Sequence, residues 1–217
     1  MGAANAELFK FMRDEFFIET FVETGSGHGT TAEMASKIFP EVYTVELSDE
    51  LFQEVRERFR GESGIHYRQA HSTTFLRELV PDLTGPVLYW LDAHWSAANT
   101  AGKDSQCPVL EELGVINSRD MNQDYILVDD AHLFFSPAPL QPPIDPVQWP
   151  NIVQIIAALG QKPRYTAILC NYLCRIHGHP GGIVFPDDFI VSVPGHNQRK
   201  MFDWLHSQKL EYFDERS

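Results

Sequence analysis

The chain has 217 residues, 43% of them hydrophobic and 22% charged, with 30 acids against 17 bases and a formal net charge of -13. That balance fits one globular domain over residues 1–217 and excludes a disordered or low-complexity chain. It also argues against nucleic acid as a partner, because phosphate backbones are held by basic patches and none of any length occurs.

No apolar run reaches the roughly 20 residues that a membrane helix needs. The start, MGAANAELFKFMRDEFF, lacks a basic region followed by an apolar stretch. The expectation is a soluble, cytoplasmic protein with no membrane partner. Met1-Gly2 resembles a myristoylation start, but Ala6 stands where that signal requires Ser or Thr. Of the three cysteines, Cys170 and Cys174 lie in an apolar, strand-like stretch and read as buried free thiols. A zinc set made of Cys170, Cys174, His177 and His179 matches no common finger spacing.

In chain order, an amphipathic helix is expected over Asn5 to Phe17. Apolar runs bounded by turn residues then alternate with helical periods, the pattern of a parallel sheet with crossover helices. Five strands are expected to end near Glu23, Glu46, Ala70, Asp92 and Asp130. The helices between them begin where hydroxyl caps are at hand, at Thr30 or Thr31, at Ser48 and at Ser72. Pro108 opens a fourth, PVLEELGVI, with Val109, Leu110, Leu113 and Ile116 on its packed face and Glu111 and Glu112 turned to water.

The stretch from Ser136 to Pro150 carries six prolines, so it is a loop. Its place after the fifth strand, at the carboxyl edge of a parallel sheet, makes it a candidate substrate lid, with a plain surface connector as the equal alternative. Beyond it come a helix (NIVQIIAAL), a long strand (RYTAILCNYLCRI), a short last strand (GGIVFP) and an aromatic tail that docks as a helix. Exposed aromatics near the C-terminal end hint at a homo-oligomer.

The most informative segment is Glu23-Thr24-Gly25-Ser26-Gly27-His28-Gly29-Thr30, between the first strand and its helix. Glycines at alternate positions give a tight turn and let backbone approach a ligand. An acid before them is an awkward neighbour for a pyrophosphate, whereas it can receive the ammonium of an aminoacyl sulfonium. Thr30 also replaces the third glycine of the dinucleotide pattern, which places an NAD(P)-dependent oxidoreductase second. Glu46, 21 residues after Gly25, ends the second strand where an acid accepts both hydroxyls of an adenosine ribose. His71 and Ser72 stand at the third strand's end, beside an adenine, although Ser72 also reads as a helix cap.

With ETGSGHG followed by Glu46, the sequence resembles the class I S-adenosylmethionine-dependent methyltransferases over about Phe17 to Pro186. The resemblance implies a Rossmann-like α/β fold: a seven-stranded, mostly parallel sheet with helices on both faces and its last strand antiparallel. It also implies S-adenosylmethionine as cofactor, with Glu23, Gly25, Gly27, Gly29, Thr30, Glu46, His71, Ser72 and Asp92 around it. VLYWLDAHWS and ILVDDAH are similar to the strand ends of metal-dependent O-methyltransferases of the catechol and macrocin types. That likeness implies a magnesium ion on Asp92, Asp129 and Asp130, activating an oxygen of a sugar or other small hydroxylated acceptor.

This chain departs from the catechol type in having Ala93, His94 and Trp95 where a lysine follows the fourth-strand Asp. His94 is therefore the candidate general base, with His132 as its competitor. Trp95, Trp149 and Phe134 are candidates for an apolar wall. A non-catalytic module that keeps only the cofactor pocket is the third reading, opposed by the three aspartates.

Overall fold

The structure, a computed structural model, describes residues 5–95, 105–119, 122–135, 145–175 and 184–207. Seven strands form one sheet: β1 (Thr20–Thr24), β2 (Glu41–Glu46), β3 (Ile65–Gln69), β4 (Val87–Leu91), β5 (Asp124–Asp129), β6 (Arg164–Arg175) and β7 (Val184–Pro194). Their order is β3-β2-β1-β4-β5-β7-β6, and β7 alone runs against its neighbours. This is the Rossmann-like α/β sheet expected from the resemblance. The central strands VLYWL and DYILVD are buried along their whole length, as a sheet covered on both faces requires.

Helices α1 (Ala6–Phe16), α2 (Thr30–Ser36), α3 (Asp49–Arg58), α4 (Ser72–Leu79), α5 (Val109–Ile116), α6 (Ile152–Leu159) and α7 (Gln198–Ser207) flank it. Because strand side chains alternate, the sheet supplies two cores. Phe21, Leu88, Trp90 and Leu127 meet α1, α2, α3 and α7; Val22, Tyr89, Leu91 and Val128 meet α4, α5 and α6. The described part of the aromatic tail, Gln198–Ser207, docks as a helix, with Trp204 stacked on Phe11 at 5.1 Å between ring centroids. Among the described residues no helix is long and apolar enough to cross a membrane.

Four expectations need correction. None of the three hydroxyl caps forms: α2 starts after Gly29, and Ser48 and His71 precede α3 and α4 without a capping hydrogen bond from a side chain. The last strand is long rather than short, because a run buried on both faces follows Pro186, with Phe189, Ile190, Val191 and Val193. Cys170 is exposed rather than buried, since β6 is the sheet's edge.

Glu112 is the fourth, 1% exposed instead of facing water. Val109, Glu112, Leu113 and Ile116 have the i, i+3, i+4, i+7 spacing of one helical face, so the stripe that packs Leu113 packs Glu112 too. Burial pushes its carboxyl up to about 7, with the hydroxyls of Ser72 and Thr24 and the charge of His94 offsetting part of the rise. The side chain of Cys174, His177, His179 and most of the proline-rich loop lie outside the described residues.

Candidate functional site

Strand pairing builds the site. Thr24 pairs with Val45 and with Leu91, and Leu91 pairs with Val128. One residue further on, Gly25, Glu46, Asp92 and Asp129 therefore form a row along the carboxyl edge, where open α/β sheets bind ligands. Three acids in this row share one face of the sheet, and a cavity of about 340 Å³ opens above them. That is the volume range of a small-molecule site.

The cofactor loop is fixed before any ligand arrives. Gly25 and Ser26 each donate a backbone N–H to the Val45 carbonyl at 3.0 Å. Glu46 accepts from Gly27 N at 2.9 Å, Leu47 N at 2.9 Å and Ser48 N at 2.8 Å. One carboxylate thus ties the glycine turn to the end of β2: Oε1 takes two of these bonds and Oε2 one, which leaves Oε2 a lone pair for a further donor. Gly25 has φ +82°, and a Cβ there would lie 2.3 Å from the Asp92 carbonyl oxygen. Gly25→Ala is expected to lose about 2 kcal/mol of stability, from left-handed backbone strain plus a forced shift of the β4 end. Urea denaturation checks this; a midpoint equal to that of the native chain would show that the turn yields freely.

Gly25, Gly27, Thr30, Glu46, His71, Ser72, Asp92, His94, Asp129 and Asp130 all line this one cavity. Gly29, Glu23 and His132 do not. Glu23 lies one pleat below the row, 1% exposed, and its carboxyl accepts a hydrogen bond from the Thr44 hydroxyl. Burial, only partly offset by Thr44 and reinforced by the charge of Glu46, pushes Glu23 up to about 8. His132 is paired with Asp188 of β7, Nδ1 to Oδ1 at 2.8 Å, and this bond raises its pKa. Phe134 and Trp149 are buried behind His94, with Trp149 5.6 Å from its ring, so they back the site and do not wall the cavity. Trp95 is likewise buried and outside the cavity.

Sequence reasoning missed His28, Leu47 and Leu51 among the lining residues. Leu47 directly follows Glu46 and Leu51 lies in the first turns of α3, so the acid was the signal that could have located both.

The far end of the cavity is acidic. His94 stands between Asp92 and Asp130, with Nδ1 3.4 Å from Asp92 Oδ1 and Nε2 3.0 Å from Asp130 Oδ2. Its side chain is only 10% exposed. Burial alone would lower its pKa, but the hydrogen bond to Asp130 and the charges of Asp92, Asp130 and Asp129 together push it up to about 9. Burial and Asp129 push Asp92 well above the usual carboxylate range. Against the penalty of its own burial, the His94 hydrogen bond and charge hold Asp130 below that range. Asp130 adopts φ 51°, a left-handed conformation that Asp tolerates, and this turn brings its carboxylate back over β4.

No protein-family model and no curated protein matches the sequence. Solved structures do match. The chain is similar to the O-methyltransferase from Bacillus cereus in complex with SAH, at 13% identity and TM-score 0.61 over 89% of this chain and 83% of that one. The O-methyltransferase from Streptomyces achromogenes involved in tomaymycin synthesis, in complex with SAM, matches at 14% identity and TM-score 0.61 over 89% and 82%.

The fold is that of the class I methyltransferases. An N-methyltransferase from Bradyrhizobium japonicum shares it as well, at 8% identity and TM-score 0.51 over 86% and 90%. The class I methyltransferase fold therefore leaves the acceptor atom open, and the chemistry must come from the side chains at its edge.

Proposed function

We propose that this protein is an enzyme that binds S-adenosylmethionine against the first crossover and transfers its methyl group to an oxygen of a small hydroxylated acceptor, such as a sugar. The observation that carries the reading is Glu46, which ties Gly27, Leu47 and Ser48 together at the floor of the cavity. In this reading its remaining lone pair, on Oε2, accepts a ribose hydroxyl, Leu47 and Leu51 give the base an apolar side, and Asp92 faces the cationic sulfonium end.

The charge pattern separates this from the dinucleotide reading. Glu46, Asp92, Asp129 and Asp130 line the cavity, and among the described residues the basic side chains there are histidines. Such a cavity favours a sulfonium cation and repels a pyrophosphate.

The expected magnesium has no part in the proposed steps. Among the described residues no three His, Cys, Asp or Glu side chains form a metal-holding group, and His94 already stands between Asp92 and Asp130. Held as a cation, His94 does not accept the acceptor's proton in the resting site; it orders the two carboxylates. His132, held by Asp188, does not line the cavity and is not assigned as the base. Methyl transfer then moves CH3 from sulfur to oxygen, releases the neutral thioether, and gives up the hydroxyl proton to solvent water.

Calorimetry on the purified chain tests the cofactor first. Titration with S-adenosylhomocysteine is expected to show one site, and titration with NAD none. Heat with NAD alone would overturn the reading. Transfer of a labelled methyl group to a panel of hydroxylated and amine acceptors then tests oxygen against nitrogen.

A further inference from the structure

We propose that β6 and α6 form the interface of a two-fold dimer, in which β6 pairs antiparallel with β6 of a second copy and the two α6 helices lie on one side of the joined sheet. The inference concerns the assembly of the chain and does not rest on the methyl-transfer reading.

The chain has 30 acids, yet none occurs from Pro146 to Pro186. Two copies that each carry a net charge of -13 repel wherever acid faces acid. From Ile152 to Arg175 the charged residues are Lys162, Arg164 and Arg175, all basic, so two copies meet here without that repulsion.

The helix in this stretch has more apolar surface than the fold covers. α6 reads IVQIIAAL, with Gln154 as its one polar residue, and a helix apolar on every face needs cover on every face. Ile155 and Leu159 are buried in the core with Leu113 of α5, whereas Val153 and Ile156, at i and i+3, are 72% and 43% exposed. β6 extends this surface. Ile168 pairs with Ile190, which packs with Ile155 and Leu159, so Ile168 points to the α6 side of the sheet, where it is 44% exposed.

The outer edge of β6 identifies the occupant as a strand. Among the described residues β6 is the last strand of the sheet, so alternate N–H and C=O groups point outward along it. Protective charges or prolines are the usual guard on such an edge, and Tyr165 to Cys174 contains neither. A bulge between Cys170 and Tyr172 limits the regular edge to Arg164–Cys170. A two-fold axis normal to the joined sheet keeps the α6 side common to both copies, so even-numbered residues of β6 face even-numbered ones. With Ile168 opposite its own copy, Thr166 faces Cys170, and this paired segment ends before the bulge.

Light scattering and sedimentation velocity on the full chain test the assembly. The native protein is expected to have twice the mass of one chain at about 100 μM and to dissociate with a constant of roughly 1 to 10 μM. Ile168→Lys sets two ammonium groups against each other on the axis and is expected to raise that constant at least about a hundredfold. Ile156→Glu, on α6, is expected to raise it at least about tenfold. Amide hydrogen exchange reads the strand pairing: peptides covering Tyr165 to Cys170 are expected to exchange at least about fivefold more slowly at about 100 μM than at about 0.1 μM.

A native chain that stays monomeric at about 100 μM overturns the proposal, whether residues 208–217 or another protein cover the face instead. So does a dimer that survives both substitutions, since it lies on another surface, and so does a dimer whose β6 amides exchange as fast as the monomer's. Circular dichroism verifies the fold of each variant. None of the substituted positions lines the cavity, so S-adenosylhomocysteine titration is expected to be unchanged, and a native chain that fails to bind that ligand speaks against the cofactor reading alone.

Discussion

Glu46→Ala is expected to weaken S-adenosylhomocysteine binding by about a hundredfold or more, equivalent to roughly 3 kcal/mol. The carboxylate accepts three backbone N–H groups from two segments, adding to the bonds that Gly25 and Ser26 make to the Val45 carbonyl. Charge-assisted bonds of this kind contribute roughly 1.5 to 3 kcal/mol each, and removing the acceptor leaves the donors of Gly27, Leu47 and Ser48 without it. The effect falls on the ligand because the glycine turn loses its preset shape and the ribose loses its acceptor together. Glu46→Gln divides the two: one amide oxygen still serves Leu47 and Ser48, while its NH2 group opposes Gly27 N. Its affinity is expected to fall at least tenfold, with smaller loss of thermal stability than in the alanine variant. Calorimetry and thermal melts on both proteins check this. If the alanine variant binds within threefold of the native chain, Glu46 is a loop clip only.

How far the sequence displays this site depends on the range of the interactions that make it. The strands are legible because each is an apolar run closed by an acid, and burial on both faces leaves little else that VLYWLD or YILVDD can be. Gly25 and Glu46 are legible because turn geometry and strand ends are local. That Glu46, Asp92 and Asp129 share one row is not local, since it requires three strand registers at once.

Glu112 shows a different failure. Its spacing from Val109 and Ile116 places it inside the apolar stripe, yet side-chain polarity outweighs spacing when a sequence is read. His94 is legible as a candidate for the site, and it does line the cavity, but its posture is not. The posture depends on the left-handed turn at Asp130, which returns a carboxylate from β5 to the ring of a residue after β4. The antiparallel reach of β7 was underestimated because Pro186, at its start, reads as a strand end although an edge-proximal ladder admits it.

Glu23→Gln is expected to remove about one proton's worth of pH dependence from the stability of the chain between pH 5 and pH 8. The Glu23 carboxyl is buried one pleat below the cavity, and burial raises it from 4.5 to about 8. A group whose folded pKa lies above its unfolded one keeps its proton in the native state after the unfolded chain has released it. Its contribution is therefore fully present below pH 4.5 and is lost as pH rises toward 8, by about 1.4 kcal/mol per unit. Near neutral pH the accumulated loss is roughly 3 kcal/mol. Asp92, Glu112 and His94 are also shifted upward and slope the same way, so the difference between native and variant proteins isolates Glu23. Glutamine has the same shape, still accepts from Thr44 and has no charge to bury. The variant should then unfold at higher urea than the native chain at pH 8 and at similar urea at pH 5. Cofactor titration of the same variant asks the functional question. A carboxyl that turns up to hold the ligand's ammonium would make Glu23→Gln bind at least about tenfold more weakly, whereas one that stays on Thr44 leaves affinity unchanged. Parallel pH slopes in the two proteins would show that this carboxyl is ionised in the fold and that the burial argument fails.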